Sequence, residues 1–184
     1  MYIYATGGIG YNLLINCVNP ILINGTSGLT VYNNTCYSTK DISNELLIGV
    51  YSDSTGTTRS TNNVIFKNNI LKSYNNNAYY FWIDNTACTG NILYNTIIYN
   101  SGNTQITNAV HFNSGNTNYN LASAITAGIF DSTVYYLNPN LTNGVPTNIL
   151  TGSTMTATYN SGLDITYDWE NNIRTTKHKQ ILGK

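Results

Sequence analysis

The chain has 184 residues, which is enough for one domain with a sizeable core. Its formal net charge is zero and only 9% of its residues are charged, so the composition predicts neither nucleic acid nor an anionic membrane as a partner. Asn and Thr are abundant beside 16 Tyr and 15 Gly, a bias that favours β structure with many turns. No apolar run of the sequence approaches the length of a membrane span.

The chain begins with MYIYATGGIGYN, which has neither the basic start nor the continuous apolar core of a secretory signal. Met1 runs directly into a strand-like segment, so we expect either a fragment of a longer chain or a gene product that begins within the fold. The three cysteines, Cys17, Cys36 and Cys88, match no metal-binding spacing. Each cysteine lies in an apolar run, and we expect buried, reduced thiols.

A strand–Asn–strand pattern recurs along the first part of the chain. Its copies are NLLINCVN (12–19), TVYNNTCYS (30–38), VIFKNNILKS (64–73) and NILYNTIIYNS (91–101). In each copy Asn separates two short runs rich in β-branched or aliphatic and aromatic residues, although Asn is a poor strand former. Four versions of one pattern indicate internal repetition.

We interpret the aligned asparagines as corners at which the chain bends between two strands; they are Asn16, Asn33, Asn68 and Asn95. A corner of one or two residues needs a residue that tolerates the left-handed backbone region, and Asn does so better than any other non-glycine residue. Asn side chains stacked from copy to copy can also hydrogen-bond as a structural ladder. A polar binding site is the alternative interpretation.

A third strand follows each corner, in PILING (20–25), IGVYSDS (48–54), YFWIDNT (80–86) and VHFNSG (110–115). Because strand side chains alternate with period 2, our alignment assigns inward and outward columns. The inward column contains Ile23, Ser52, Ile83 and Phe112. One outward column contains Leu22, Tyr51, Trp82 and His111, and the next contains Asn24, Asp53, Asp84 and Asn113.

Three short strands per copy, with no helix between them, predict an all-β solenoid: a parallel β-helix whose coils lie about 4.8 Å apart. A β-sandwich would instead use paired hairpins, and the two Asn-Gly pairs at 24–25 and 143–144 form no regular series. We expect a single domain over 1–184. Its regular coils would cover about 10–115, and a degenerate last coil with an irregular closing segment would cover about 116–184.

The segments GLTVYNNTCYS, NVIFKNNILKS and NILYNTIIYNS resemble units of the right-handed parallel β-helix proteins of the pectate lyase-like superfamily. SGLDITYDWENNIR (161–174) is similar to the closing segment of many such chains, with Gly183 as a remnant of their ending. The resemblance implies a carbohydrate groove on the outer face of one parallel sheet. It also implies a polysaccharide or oligosaccharide partner and an extracellular, cell-surface or virion location.

The superfamily contains lyases, hydrolases, epimerases, phage tailspikes and adhesins. The implied function is therefore either a polysaccharide lyase or glycoside hydrolase, or the C-terminal part of one, or else a non-catalytic structural or adhesive module. An enzyme or adhesin of this kind is expected as a monomer, and a module like a phage tail component is expected as a trimer.

The outward residues Tyr51, Trp82 and His111 are the candidate substrate-binding surface, because sugar rings stack on aromatic faces. Plain ring stacking is the alternative. Asp53 and Asp84 are expected about 5 Å apart on neighbouring coils. They are either turn-starting residues, ligands of Ca²⁺, or the acid and nucleophile of a retaining hydrolase, in which the carboxyls lie about 5 to 5.5 Å apart. Arg59, in the loop after Asp53, is the third candidate catalytic group, as the base of an eliminating lyase.

Two further columns are expected on other faces, Tyr32–Lys67–Tyr94 and Tyr37–Lys72–Tyr99. A lysine between tyrosines is explained either by shielding of a flat surface or by cation–π packing. The basic tail RTTKHKQILGK is interpreted as a solvated end.

Overall fold

The computed structural model describes residues 7–10, 12–53, 59–102 and 106–139, together with the backbone of 141–142 and 145–146. This part of the chain consists mostly of short strands arranged in parallel sheets. No helix in it is long and apolar enough to cross a membrane. The prediction of an all-β chain with parallel strands is therefore confirmed.

The strands, numbered in chain order, form three sheets. Sheet A contains, in spatial order, β1 (Gly8–Gly10), β4 (Thr30–Tyr32), β7 (Ile65–Lys67) and β10 (Ile92–Tyr94). Sheet B contains β2 (Leu13–Ile15), β5 (Thr35–Tyr37), β8 (Ile70–Ser73), β11 (Ile97–Asn100) and β14 (Tyr135–Tyr136). Sheet C contains β3 (Ile21–Asn24), β6 (Leu46–Tyr51), β9 (Tyr79–Ile83), β12 (Val110–Phe112) and β13 (Thr117–Tyr119).

Consecutive strands from β1 to β12 belong to sheets A, B and C in turn, so each strand pairs with strands three places away in the chain. All of these pairs are parallel, whereas β13 pairs antiparallel with β12 at the edge of sheet C. A short antiparallel pair, β15 (Leu141–Thr142) with β16 (Val145–Pro146), lies outside the three sheets.

Inward-facing side chains from all three sheets meet in one hydrophobic core. Val31 of sheet A, Leu71 of sheet B and Phe81 of sheet C are all fully buried there. The rings of Phe66 and Phe81 pack edge to face, with centroids 5.1 Å apart. Burying each such side chain contributes about 1.5–3 kcal/mol, so the core is the main source of stability.

The predicted left-handed corners are confirmed. Asn33, Asn68 and Asn95 have φ of 52°, 56° and 42°, and each directly follows a strand of sheet A and precedes a strand of sheet B by one residue. Asn16 also has a positive φ, 53°, but it follows β2 and lies between sheets B and C. The alignment of Asn16 with the other three is therefore wrong, because their corner corresponds to the one between β1 and β2, before Leu13.

The amide ladder runs through the residues that follow the predicted ones. Asn12 Nδ2 donates to Asn34 Oδ1 (2.9 Å), and Asn34 Nδ2 donates to Asn69 Oδ1 (3.1 Å). The Asn69 N–H donates to Thr96 Oγ1 (3.4 Å), which ends the series. The ladder does not include Asn33, contrary to the prediction, because its side-chain amide has no hydrogen-bond partner among the described residues.

A buried carboxylate lies before β6. Glu45 is 1% exposed, and its Oε2 accepts hydrogen bonds from the Ser73 and Ser38 hydroxyls. Burial raises the pKa of this carboxyl, the serine hydrogen bonds oppose that rise, and the charge of Asp41 adds to it.

The closing segment covers one end of the core. A 3₁₀ helix (Asn113–Gly115) follows β12, and α1 (Leu121–Thr126) follows β13. Asn120 caps α1 by accepting from the Ser123 N–H (2.9 Å), a helix start that we did not predict. Ala124 and Phe130 are buried against the core. Residues 147–184, which include 161–174, Gly183 and the basic tail, lie outside the described part of the chain.

The cysteines are free thiols. Cys36 and Cys88 are buried as predicted, whereas Cys17 is only half-buried.

Candidate functional site

The outer face of sheet C brings together most of the predicted site residues, in a register that differs from the predicted one. Trp82 of β9 lies level with His111 of β12 on one side and with Gly49 of β6 on the other. Tyr51 lies level with Asn24 and one position beyond the Val50–Ile83 pair. The predicted alignment of Tyr51 with Trp82 is therefore wrong by two residues.

Such a displacement keeps every side chain on its predicted face, because strand side chains alternate with period 2. Phe81 is fully buried and Trp82 is half-buried, in agreement with the predicted inward and outward sides. Val50, rather than Ser52, occupies the inward column beside Ile83.

Trp82, His111 and Tyr79 form a ring cluster on this face. The Trp82 and His111 rings are stacked, with centroids 4.1 Å apart and planes inclined by 34°. Tyr79 packs against both rings, at 5.2 Å from Trp82 and 4.9 Å from His111. The cluster therefore holds the indole in one orientation.

His111 is buried, which corrects the prediction that it belongs to an exposed outward row with Tyr51 and Trp82. It is 4% exposed, and its Nδ1 lies 2.6 Å from Asn118 Oδ1 on β13. The antiparallel strand β13 covers the edge of sheet C beside β12, so His111 supports Trp82 from below the surface.

Sequence reasoning did not include Tyr79 in the site, because the inward–outward alternation of side chains is broken near the start of β6 and of β9. Tyr80 and Phe81, which are neighbours in β9, are both buried in the core. Leu47 and Ile48, which are neighbours in β6, are likewise both buried in the hydrophobic core. This break in the alternation accompanies the contact of Tyr79 with Trp82, three residues away, which a strict period of 2 excludes.

The ring of Tyr51 covers Gly49. A Cβ atom built on Gly49 would lie 2.6 Å from Cε2 of Tyr51 and 2.9 Å from Cδ2 of Leu22. The outer position beside Trp82 therefore has no side chain of its own and is filled by the tyrosine ring. Burial, and in smaller part the charge of Asp84, raises the pKa of the Tyr51 hydroxyl.

Asp84 lies at the rim of this face. Its Oδ1 accepts from Asn113 Nδ2 (3.3 Å), and its Oδ2 accepts from the Ser52 N–H and from Asn85 Nδ2 (both 3.4 Å). The hydrogen bond from Asn113 agrees with the prediction that Asp84 and Asn113 are neighbours in one outward column. Asp84 is half-buried, and its charge contributes to the raised pKa of the Tyr51 hydroxyl.

Asp53 is not the neighbour of Asp84 that the alignment placed there. The register makes Tyr51 level with Asp84, which puts Asp53 two residues further along and, from strand geometry, roughly 8 Å away instead of about 5 Å. Asp53 is buried, and its N–H donates to the Arg59 carbonyl (2.8 Å), which closes the loop between them. Arg59 is exposed at the end of this loop.

The prediction of an adjacent carboxylate pair is thus wrong, because a two-residue register difference separates the two groups. Among the residues that the structure describes, no three His, Cys, Asp or Glu side chains come together as a metal site.

The two lysine columns are confirmed. Lys67 lies between Tyr32 and Tyr94 in sheet A, and Lys72 lies between Tyr37 and Tyr99 in sheet B.

The chain matches no protein-family model, no curated protein and no solved structure.

Proposed function

We propose that this protein is a right-handed parallel β-helix module of the pectate lyase-like kind, which binds a polysaccharide along the outer face of sheet C. The sheet orders support the fold, because strands three places apart in the chain pair in parallel through four successive units. Connections between parallel strands of one sheet are right-handed in about 98% of cases, which supports the hand.

The half-buried indole of Trp82 carries the functional proposal. Its ring lies on the outer face of a parallel sheet and is held by the stacked His111 and by Tyr79. An indole that is already held in one orientation loses little conformational entropy when a sugar stacks on it. The entropy cost that opposes binding is therefore small. The neighbouring ring of Tyr51 extends this apolar surface over Gly49.

Asp84 gives the surface a polar rim. Its carboxylate already accepts from Asn113 and Ser52 at 3.3 and 3.4 Å, long distances that leave it able to accept from sugar hydroxyls. Flat apolar rings beside a hydrogen-bond acceptor match a saccharide, which has apolar C–H faces and a hydroxyl edge.

A binding module without turnover is the version that we favour, such as a structural or adhesive domain of a surface or tail protein. The burial of Asp53 supports this choice. Its separation from Asp84 also removes the close carboxylate pair of a retaining hydrolase, although a spacing of roughly 8 Å falls in the range of inverting hydrolases. A location outside the cell or on a virion follows from a polysaccharide partner. Catalysis by Asp84 with Arg59 is the second candidate.

The test is binding to a panel of neutral and acidic polysaccharides by affinity electrophoresis, with Trp82→Ala as the variant. We expect at least tenfold weaker binding to neutral glycans, which corresponds to about 1.4 kcal/mol. Tyr74→Ala is the matched control, because Tyr74 is 49% exposed and lies after β8. Equal binding by Trp82→Ala and wild type would overturn the proposal.

Release of cleaved sugar products distinguishes an enzyme from a binding module without turnover. Reducing ends or unsaturated sugars that appear with wild type and disappear with Asp84→Ala would favour a hydrolase or a lyase. Sedimentation equilibrium adds the assembly state, since a trimer would favour a tail component and a monomer a free-standing adhesin or enzyme.

A further inference from the structure

The segment NLLIN (12–16) has the same chemical order in both directions, amide, three aliphatic residues, amide. Its central residues form β2, the last strand of sheet B in spatial order. Two copies of this strand can pair antiparallel about a two-fold axis at Leu14. Leu13 of each copy then lies opposite Ile15 of the other, and Asn12 lies opposite Asn16. Every position of such a pair meets a residue of its own kind.

The backbone of β2 is oriented for this register. The Asn12 carbonyl and the Asn16 N–H are bonded to β5, at 2.8 and 2.9 Å. Because the direction of backbone groups alternates along a strand, the N–H and C=O of Leu13 and Ile15 point to the opposite edge. The Ile15 carbonyl accepts there from Cys17 Sγ at 3.5 Å, a weak contact. In the antiparallel pair, Leu13 and Ile15 exchange both of their backbone hydrogen bonds with the other copy.

The side chains of β2 leave apolar surface to be covered. Leu13 is 38% exposed and Ile15 is 40% exposed. The inward Leu14 is only half-buried, whereas Cys36, its neighbour in the stack, is fully buried. A cavity lined by Leu14 and Ile9 lies at this end of the core. A second β2 strand would cover the two outward side chains and place another Leu14 over this one, which favours association.

The first coil has no charge that opposes contact with its own copy. No Asp, Glu, Lys, Arg or His precedes Lys40 in the sequence. Proteins normally protect an exposed edge strand with lysine, other charged residues or proline. Pro20, which has no N–H, directly precedes β3, whereas β2 contains no residue of these kinds. The sequence therefore leaves β2 able to pair.

The other end of the coil stack is closed by structure of its own. β12 pairs with β13, β11 pairs with β14, and Leu93 of β10 forms a bridge with Phe130. Ala124 of α1 is buried against the core at this end. Association through the first coil therefore ends at two copies and does not continue as a filament.

The amides that flank β2 are complementary across the two-fold axis. The N–H and Nδ2 of Asn12 both donate to Asn34 Oδ1, at 3.1 and 2.9 Å, so its own Oδ1 is an acceptor for the other side. Asn16 Oδ1 accepts from the Thr39 N–H (2.9 Å), so its Nδ2 is the donor. With Asn12 opposite Asn16, one acceptor meets one donor twice in the dimer.

We propose that two copies of this chain associate through β2, which pairs antiparallel with itself about Leu14 and joins the two sheets B into one. The first coil, residues 7–28, supplies about the roughly 20 residues that one side of a stable interface contributes. Trp82 lies on the third coil, in β9, so the dimer does not depend on the proposed glycan surface.

The test is sedimentation equilibrium of the full chain over about 1 to 100 μM, where we expect a monomer–dimer equilibrium. Leu13→Lys and Ile15→Glu should each weaken the dimer at least tenfold, because each puts a charge opposite an aliphatic side chain twice. An equal mixture of these two variants should recover at least tenfold of the lost affinity. In the mixed dimer the two introduced charges lie opposite each other, and the remaining Ile15 lies opposite the remaining Leu13.

Ile65→Lys is the matched control, because Ile65 is also 38% exposed but lies on β7, an interior strand of sheet A. It should keep the dimer, and thermal melts check that each variant is folded. Trp82→Ala should keep the dimer as well, so failure of the glycan proposal and failure of this one give different results. A monomer at all concentrations, a trimer, or a dimer that neither single variant weakens would overturn the proposal. Slow hydrogen exchange of the Leu13 and Ile15 amides in a monomer would also overturn it, because another segment would then occupy this edge.

Discussion

The indole of Trp82 and the imidazole of His111 are stacked at 4.1 Å, and the imidazole is held in turn by Asn118. The half-buried ring of Trp82 is thus positioned by a buried histidine on the next strand. In the proposed sugar surface, His111 is therefore a positioning residue for Trp82.

Removing the imidazole should disturb the indole. We expect His111→Ala to lower the free energy of unfolding by about 2 kcal/mol, because a buried ring and its stacking are lost. Glycan binding should weaken in parallel. His111→Phe, which keeps a ring under Trp82, should retain most of the binding. Urea denaturation and affinity electrophoresis measure the two effects, and equal binding by the alanine and phenylalanine variants would contradict the supporting role.

The amide ladder should be more sensitive to substitution than the corner residues beside it. Asn69 Oδ1 accepts from both the N–H and the Nδ2 of Asn34, and Asn69 Nδ2 donates to the Val31 carbonyl. Asn69→Ala leaves these buried groups without partners and should cost about 2–3 kcal/mol in thermal or chemical unfolding.

Asn33→Gly provides the contrast. Asn33 is 1% exposed, its side-chain amide has no hydrogen-bond partner among the described residues, and its φ is 52°. Glycine adopts this backbone region without strain, so we expect little loss or a small gain in stability. Asn33→Ala, which keeps a Cβ at positive φ, should cost about 1 kcal/mol. A large loss in Asn33→Gly would argue for a role beyond the backbone.

Glu45 should make stability depend on pH. Its carboxyl pKa is raised in the folded protein, mainly by burial, so the folded state holds its proton more tightly than the unfolded chain. The stabilisation is fully present below the ordinary carboxyl pKa and is lost as pH rises from there through the folded pKa. Stability should therefore fall with pH across this window.

Glu45→Gln should flatten this dependence and make the protein more stable than wild type at the alkaline end. The neutral amide can still contact the Ser38 and Ser73 hydroxyls. Asp41→Asn is the control, because Asp41 is exposed and is the smallest contributor to the raised pKa of Glu45. Melting temperatures from pH 4 to 9 check the prediction, and parallel curves for Glu45→Gln and wild type would refute it.

Gly49 should tolerate no side chain while Tyr51 is present. In Gly49→Ala the new methyl group meets the Tyr51 ring, which must move away from its position over residue 49. We expect a loss of about 1 kcal/mol in stability together with weaker glycan binding. In a Tyr51→Ala background the same substitution should cost less, because only the leucine side chain of Leu22 must still adjust, and a double-mutant cycle measures this coupling. Additive effects would show that the ring does not depend on the glycine.

The amino-acid pattern was sufficient for the features that depend on neighbouring residues. Short runs such as TVY and TCY predicted strands, and Asn33, Asn68 and Asn95 predicted left-handed corners, since backbone preference acts within one or two residues. The inward and outward faces and the lysine rows also followed, because alternation within a strand is local.

Features that depend on how distant strands align were decided by the tertiary structure. A shift of two residues leaves the face of every side chain unchanged, so sequence alternation could not distinguish Gly49 from Tyr51 as the neighbour of Trp82, or bring Asp53 to its true place. The burial of His111 required β13, an antiparallel strand with no copy in the repeat. Predicting the ladder through Asn34 and Asn69 required knowledge of which corner side chains point along the stack of coils. Only the stacked backbone defines that direction.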